Sequence, residues 1–550
     1  MKRIHTRLFL LLGLPVICLL FASFRDDHRN FLISKHLDLF HAVFRELDMF
    51  YVDTLDIPEV VDEAIHAITS KLDPYTIYYP EEEDDDLQMM ITGKYAGVGA
   101  IIRYHKKHDR VVIAEPYVGM PAMEAGLRAG DILLSIDGTD LKGWTVDKVS
   151  ERLRGEPGTT LIIRTKREGV ADSIREVKVT RANIALPPVP YYTLLADSTG
   201  YVILNSFTDN CSRDIRLAVV DLKNRGARRL ILDLRGNGGG SLSEAVDITG
   251  LFVPKGTTIV STKGKVPQAA QTFKTRREPL DTDIPLVVLV DGQSASSSEI
   301  VAGAIQDLDR GVIIGQRTYG KGLVQTVRDL PYNASLKVTT SKYYTPSGRC
   351  VQKIDYSHKA DSTKRITSTQ QFYTRNGRPV EAAGGITPDI DIKAERLPNL
   401  LYYLANDEAL LDFATAYTRT HQQIPPVEEF SISDSLYQAF KEYVKASNFT
   451  YDRQSEKALA AFKEIAEFEG YLKDSSAELA ALEQKLSHDL ERDFENFKTD
   501  ICELLADEIV TRYYYQQGAI AQGLKSDSTI VQACKVLNDT QIYNKILRKE

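Results

Sequence analysis

Apolar positions along this chain change their spacing from one region to the next, and each spacing predicts a different kind of element. Leu37, Phe40, Phe44, Leu47 and Tyr51 recur at intervals of three and four, the signature of one helix face. Asp56 and Pro58 mark a second helix start, Val61, Ile65, Ile68 and Leu72 give its face, and Asp73-Pro74 stops it. The acidic run Glu81 to Asp86 reads as a solvated loop. Residues 94–182 then switch to short strands: Ala100 to Arg103, Val111 to Ala114, Leu161 to Thr165 and Arg175 to Thr180. A short helix near Pro121 to Ala125 and a longer one from Thr145 to Arg154 complete a small β-rich module.

Beyond residue 200 the apolar positions become continuous. Tyr201 to Asn205, Leu230 to Leu234, Leu286 to Val290 and Val312 to Ile314 have the length and branching of buried strands. Helical segments alternate with them, one starting near Ser241 and another after Ser298, with Ile300, Val301, Ala304, Ile305 and Leu308 as its apolar positions. Such alternation indicates an α/β core. Leu336 to Thr340 and a tyrosine-containing stretch to Thr345 are strand-like, and Pro346 to Gly348 is a turn. Residues 396–550 return to helical spacing. There Leu479, Leu482, Leu486, Leu490, Phe494, Phe497, Ile501 and Leu505 make one long apolar face, with charges on the others.

The N-terminus adds an address. Lys2, Arg3 and Arg7 precede 17 apolar-rich residues, Leu8 to Phe24, the composition of an export signal. Its length lies between a signal core and a full span, so cleavage near Ala22 and Ser23 or retention as a membrane anchor both follow. Ile17 before Cys18 is too large for the usual lipoprotein signal. The domains expected are therefore 1–24 signal or anchor, 30–90 helical and packing on the core, 94–182 β-rich, 183–395 α/β, and 396–550 helical.

Composition narrows the function classes. A chain of 550 residues with 43% hydrophobic and 26% charged residues is ordinary globular protein. A net charge of −8 and the lack of a basic stripe argue against a nucleic-acid partner. Five scattered cysteines suggest no disulfide framework or zinc spacing, though one bridge stays open. No HExxH motif occurs, so no metal is expected.

The candidate chemistry lies in Ser294 to Gln325. Ser294 to Ser298 follow a buried strand and precede a helix, on a turn where the helix's first N–H groups lack partners. A serine there has oxyanion donors beside it but needs a base, and no histidine stands between His108 and His358. A lysine kept neutral by burial is the other known base, and Lys321, between Gly320 and Gly322, fits that role. Separately, Arg235-Gly-Asn-Gly-Gly-Gly240 ends a strand without the Gly-Lys-Ser/Thr ending of a phosphate loop.

Together these turns resemble the C-terminal processing peptidases, or tail-specific proteases. Their pattern is a Ser-Ala-Ser-Ala-Ser-Glu turn, a Phe-Gly-Lys-Gly turn, and nucleophile and lysine 25 residues apart. Ser296 and Lys321 have that separation, which selects Ser296 among the hydroxyls of the turn. Gln325, one helical turn's spacing past the lysine, matches the family's third member. Ser297 replaces the family's alanine and Tyr319 its phenylalanine, and Ser297 remains a minor rival nucleophile. The resemblance implies an oxyanion hole from the N–H groups of Gly240, with Gly239 open as the alternative, and Ser297. Gly126-Leu-Arg-Ala-Gly-Asp-Ile-Leu-Leu-Ser-Ile-Asp-Gly138 resembles PDZ domains, with Gly97-Val98-Gly99 as the carboxylate-binding loop and 145–154 as the groove helix. Gly384 to Ile390 also resembles the family, so the likeness covers roughly 35–395.

The resemblance implies a multi-domain α/β protein: a core similar to the ClpP and crotonase spiral fold, an inserted PDZ domain, and helical regions at both ends. It further implies an exported serine endopeptidase with no cofactor, sited in the periplasm or cell envelope. Its partners would be proteins or peptides with a free C-terminus. Membrane association through the N-terminal segment and a homodimer contact stay open. The rival readings are a non-catalytic PDZ scaffold or chaperone on a peptidase-like core, a ligand carrier, and an acyl-CoA enzyme. The set Ser296, Lys321 and Gln325 argues against the first, the PDZ module against the second, and the export signal against the third.

Overall fold

The continuous apolar runs become neighbouring strands of one sheet. The computed structural model describes residues 28–81, 84–169, 173–356, 370–393, 397–406, 408–447, 449–486 and 489–548. Thr199–Ile203, Arg229–Asp233, Leu286–Val290 and Val312–Gly315 lie parallel in that order. An antiparallel Tyr192–Leu194 and a parallel Ile390–Asp391 close the two edges. Parallel strands are covered on both faces and so carry few polar side chains; Leu286–Val290 is buried at every position.

One face carries helices Cys211–Asn224, Leu242–Thr249 and Ser297–Asp307, whose Ile215, Ala245, Ile300 and Ile305 share a core with Leu232, Val288 and Val290. The other face is covered by the end of the chain. Ile530, Val536, Tyr543 and Leu547, on helices Ser528–Asn538 and Thr540–Leu547, pack with Ile231, Val287, Leu289 and Ile314. The Tyr543 hydroxyl accepts from Leu286 N at 3.0 Å and donates to Leu286 O at 3.1 Å. These two helices thus belong to the layered core, although in sequence they follow the helical region. An amphipathic helix reads the same whichever surface it covers.

A second, antiparallel sheet runs Gln271–Lys274, Thr258–Gly264, Ser335–Tyr344 and Leu323–Asp329. The β-rich module forms a sheet in the order Ala100–His105, Arg110–Pro116, Ile132–Ile136, Thr160–Lys166, Ile174–Thr180. Helix Val146–Leu153, N-capped by Thr145, buries Val149 and Leu153 among Val111, Ile113, Leu133 and Ile136. Lys94–Gly97 pairs antiparallel with Ala182–Ala185, tying the module's entry to its exit.

The remaining helices, chiefly Asn399–Asn406, Ala409–Thr420, Asp434–Ala446 and Lys498–Gly523, enclose a core of their own around Leu404, Phe440, Phe494, Ile501 and Leu505. The single long apolar face expected from Leu479 to Leu505 is divided among three helices, Ser476–Leu486, Leu490–Asn496 and Lys498–Gly523. Asp489 caps the second, accepting from Arg492 N, and Phe497 leaves helical geometry (φ −112°, ψ 23°) between the second and third. Leu482 is accordingly exposed, whereas Phe494, Ile501 and Leu505 are buried. The acidic run is not wholly a loop either, since helix Asp84–Thr92 opens inside it.

Residues up to Tyr78 form a separate unit. It contains a helix over 28–50 and helix Ile57–Ser70, whose Asp56 cap accepts from Glu59 N at 3.2 Å. Asp73 accepts from Tyr75 N and Thr76 N, both at 2.8 Å, where the stop was expected. The apolar run Leu8 to Phe24, with Cys18, lies outside the described residues. Among those residues no helix is long and apolar enough to cross a membrane, and Cys211, Cys350, Cys502 and Cys534 are free thiols.

Candidate active site

Two adjacent parallel strands, Arg229–Asp233 and Leu286–Val290, end at the same edge of the sheet, where open α/β sheets bind their ligands. Past the second strand the chain turns sharply into helix Ser297–Asp307. Ser296 sits at the turn with φ 53° and ψ −111°, a conformation that side-chain-bearing residues seldom adopt. Such a strained strand-to-helix elbow presents a serine hydroxyl to the site in front of the sheet.

The four serines of the turn are unequal. Ser294 Oγ donates to Leu234 O at 2.8 Å, Ser297 Oγ to Gly240 O at 2.8 Å, and Ser298 Oγ to Asn237 O at 2.9 Å. These three hydroxyls fasten the elbow to the glycine-rich turn. Ser296, which like Ser297 lines the open cavity, makes no such side-chain bond to the glycine-rich turn.

The glycine-rich turn is held from below by Asn237, which is fully buried. Its Nδ2 donates to Leu204 O at 2.7 Å, its Oδ1 accepts from Gly239 N at 2.8 Å, and its backbone O accepts from Ala295 N at 3.0 Å. The Gly239 N–H is therefore committed inward. The N–H groups of Gly240 and Ser297 donate to no described residue. Gly240 has φ 141°, and a Cβ there would lie 2.4 Å from Phe207 O, so the position accepts only glycine. Arg235 anchors the start of the same turn, bridging Asp233 at 2.6 Å and Asp527 at 2.7 Å. Asp527 also caps helix Ser528–Asn538.

Glu299 joins the elbow to the lysine turn. Its carboxylate, fully buried, accepts from Ser296 N (3.0 Å), Gly320 N (2.8 Å), Lys321 N (2.8 Å) and the Thr318 hydroxyl (2.6 Å). Burial pushes its pKa up to about 7, and the four donors pull the other way by favouring the charged form. Reading for chemistry alone passed over Glu299 and Asn237. The signal for Glu299 was present: Ser296-Ser-Ser-Glu299 is the spacing of a capping box. Asn237, inside a glycine run, carried none.

Lys321 is half-buried and lines the same cavity as Ser296, Gly240 and Gln325. Gln325 reaches it from strand Leu323–Asp329 rather than from a helix, with a bulge between Val324 and Gln325, and its Nε2 donates to Thr339 Oγ1 at 3.2 Å. The cavity has a volume of about 1440 Å³. It extends to Tyr117, Val118 and Met120 of the β-rich module and to Tyr513–Gln517 of the helical region.

Gly97, Val98 and Gly99 do not line that cavity themselves, but Gly99 adjoins Tyr117 and Met120, which do. Val98 O accepts from Ala122 N at 2.8 Å and Gly99 O from Tyr117 N at 3.0 Å, while the N–H groups of Val98 and Gly99 have no described acceptor. The next strand, Ala100–His105, is the sheet's edge, and helix Val146–Leu153 packs near it. An edge strand beside a helix, opened by unpaired N–H groups, has the form of a groove for an added peptide strand and its terminal carboxylate.

Three regions of the chain match the sequence profiles of known families. The sequence profile of peptidase family S41 matches residues 198–357, that of the PDZ domain 112–167, and that of the "probable PDZ-protease, C-terminal helical domain" 400–537. The carboxy-terminal-processing protease of Bartonella bacilliformis is 35% identical over 324 residues, 58% of this chain and 73% of that protein. The carboxyl-terminal-processing protease of a Picosynechococcus strain is 36% identical over 301 residues, 53% of this chain and 71% of that protein. Among solved structures, a photosystem II D1 C-terminal processing protease is similar at 30% identity, covering 64% of this chain and 87% of that one, with a TM-score of 0.36.

Proposed function

The chain belongs to the carboxy-terminal-processing proteases of peptidase family S41, and on that premise we propose that it is an exported endopeptidase with a Ser-Lys catalytic pair that takes proteins by their C-terminal tails. The observation that carries this reading is the Glu299 carboxylate, which accepts from the backbone N–H of both Ser296 and Lys321 and so holds nucleophile and base turns in one fixed relation.

In the mechanism Lys321 acts as its neutral amine. Its Nζ takes the proton from Ser296 Oγ as that oxygen adds to the scissile carbonyl carbon. The N–H groups of Gly240 and Ser297 receive the oxyanion. The lysine ammonium returns the proton to the leaving amine, the C–N bond breaks, and an ester to Ser296 remains. Water then attacks the ester, giving a proton to Lys321, and Oγ recovers it as the new carboxylate leaves. Gln325 orients Lys321. The freedom of the Gly240 N–H, with that of Gly239 already engaged, supports Gly240 as donor. The bonds made by Ser294, Ser297 and Ser298 support Ser296 as nucleophile.

The substrate's terminal carboxylate would meet the N–H groups of Val98 and Gly99, its last residues adding to strand Ala100–His105. The basic start and the apolar run Leu8 to Phe24 support export, followed by cleavage or retention of that segment.

Cleavage of an unstructured protein with an apolar C-terminal tail, by wild type, Ser296→Ala and Lys321→Ala between pH 7 and 9, tests the reading. Only wild type should cut, and amidating the tail should slow it. A wild type that binds the tail and cuts nothing would favour the scaffold instead.

A further inference from the structure

Helix Lys498–Gly523 breaks at Tyr515, whose φ of 55° and ψ of −158° lie outside the regions open to residues with a side chain. A glycine would take this backbone without strain. The two residues after the break are clamped to other parts of the molecule. The N–H of Gln516, freed by the break, donates at 2.8 Å to Oε1 of Glu115, a buried carboxylate on strand Arg110–Pro116 of the PDZ domain. Gln517 Nε2 donates at 3.3 Å to Pro190 O, on the segment leading from the PDZ domain into the core.

The three tyrosines at the break are not equivalent. The Tyr513 hydroxyl donates to His421 O at 2.5 Å, and the Tyr514 hydroxyl reaches Ile424 O and Pro425 O at 3.3 and 3.1 Å. Both are thereby committed to the helical region. No described residue bonds the Tyr515 hydroxyl, and Tyr515 lines the cavity that holds Ser296 and Lys321. The same cavity is also lined by Met90, Tyr117, Val118 and Met120, which give it apolar surface, beside polar residues such as Glu115 and Gln516.

We propose that Tyr515 is a specificity-determining residue, the floor of a subsite for a bulky apolar side chain on the substrate segment between its PDZ-bound C-terminus and the scissile bond. The proposal rests on the reading of Ser296 as nucleophile only for its cleavage readout. A tyrosine presents a large, rigid apolar surface with a polar tip, and such residues dominate peptide contacts. Tyr515 shares one cavity with Tyr117, Val118 and Met120 of the PDZ domain and with Ser296.

The test uses the full chain and two peptides with the same free apolar C-terminus, one with leucines and one with serines in the intervening segment. Wild type should prefer the leucine peptide. Tyr515→Gly should melt no lower than wild type, raise KM for the leucine peptide about tenfold, change kcat little, and lose most of the preference. Tyr515→Phe should keep it. The same peptides are titrated onto Ser296→Ala with and without Tyr515→Gly, which needs no cleavage. Loss of discrimination in that titration supports the subsite even if wild type cuts nothing, an outcome that would count against the catalytic reading alone. A Tyr515→Gly protein that still distinguishes the two peptides, in KM or in binding, overturns the proposal.

Discussion

At the scale of single residues the site depends on which polar groups are committed and which are left open. Ser297→Ala removes only the bond from Oγ to Gly240 O. It should cost about 1 kcal/mol of stability and leave cleavage close to wild type, because the oxyanion donor proposed at this position is the backbone N–H. Ser296→Ala should lower kcat/KM by at least about a thousandfold with an unchanged melting temperature. Gly240→Ala places a Cβ against Phe207 O and shifts the donor. It should lower kcat by about 10²–10³, read by steady-state kinetics on the protein that remains soluble, with circular dichroism reporting how far the turn's distortion spreads. Glu299 gives a pH signature. Its folded-state pKa, about 7, exceeds its ordinary value of 4.5. The folded protein therefore holds this proton more tightly than the unfolded chain does. The stabilisation this supplies is full below the ordinary value and lost as pH rises through about 7. Between pH 5 and pH 8 the melting temperature of wild type should fall further than that of Glu299→Gln; parallel curves would show that Glu299 does not carry the proton.

At the scale of elements, periodicity made most of the architecture legible. Leu286–Val290 announced itself as a buried strand because both of its faces are covered. Helix Ile57–Ser70 was marked by Asp56 and Pro58 at its start. The elbow and the lysine turn were legible through residue types at a fixed separation. Less legible were features that apolar spacing does not encode. The division of the Leu479–Leu505 face depends on local geometry at Phe497, which helical spacing does not encode. The break at Tyr515 is held by Glu115 and Pro190, hundreds of residues away in sequence, so nothing local signals it. The proposed groove yields a prediction of its own. Gly99 has φ 74°, and a Cβ there would lie 2.6 Å from Met120 Cβ. Gly99→Ala should therefore raise KM for a substrate with a free tail and leave an amidated one unaffected, as measured by parallel cleavage assays.

At the scale of the whole molecule, the end of the chain is part of the catalytic fold. Ile530, Val536, Tyr543 and Leu547 cover the sheet face formed by Ile231, Val287, Leu289 and Ile314, and Asp527 grips Arg235 at the start of the glycine-rich turn. Burial of such side chains stabilises by about 1.5–3 kcal/mol each, a sum comparable with the whole stability of a domain, about 5–15 kcal/mol. Truncation before Ser528 should give insoluble or unfolded protein. By contrast, replacing 454–486 with a short linker should leave a soluble, folded chain, since helices Gln454–Phe468 and Ser476–Leu486 bury little beyond Leu459, Ala466 and Leu479. Size-exclusion chromatography separates the two outcomes. The central claim, that Ser296 is the one activated hydroxyl in a cavity shared by core, PDZ domain and helical region, is tested most directly by treating the full chain with a serine-reactive phosphonate and mapping the adduct by mass spectrometry. A single adduct on Ser296, slowed by Lys321→Ala and by a competing peptide with a free C-terminus, is the expected result. An adduct on Ser297 or Ser298, or full cleavage activity in a chain that takes up no reagent at Ser296, would contradict it.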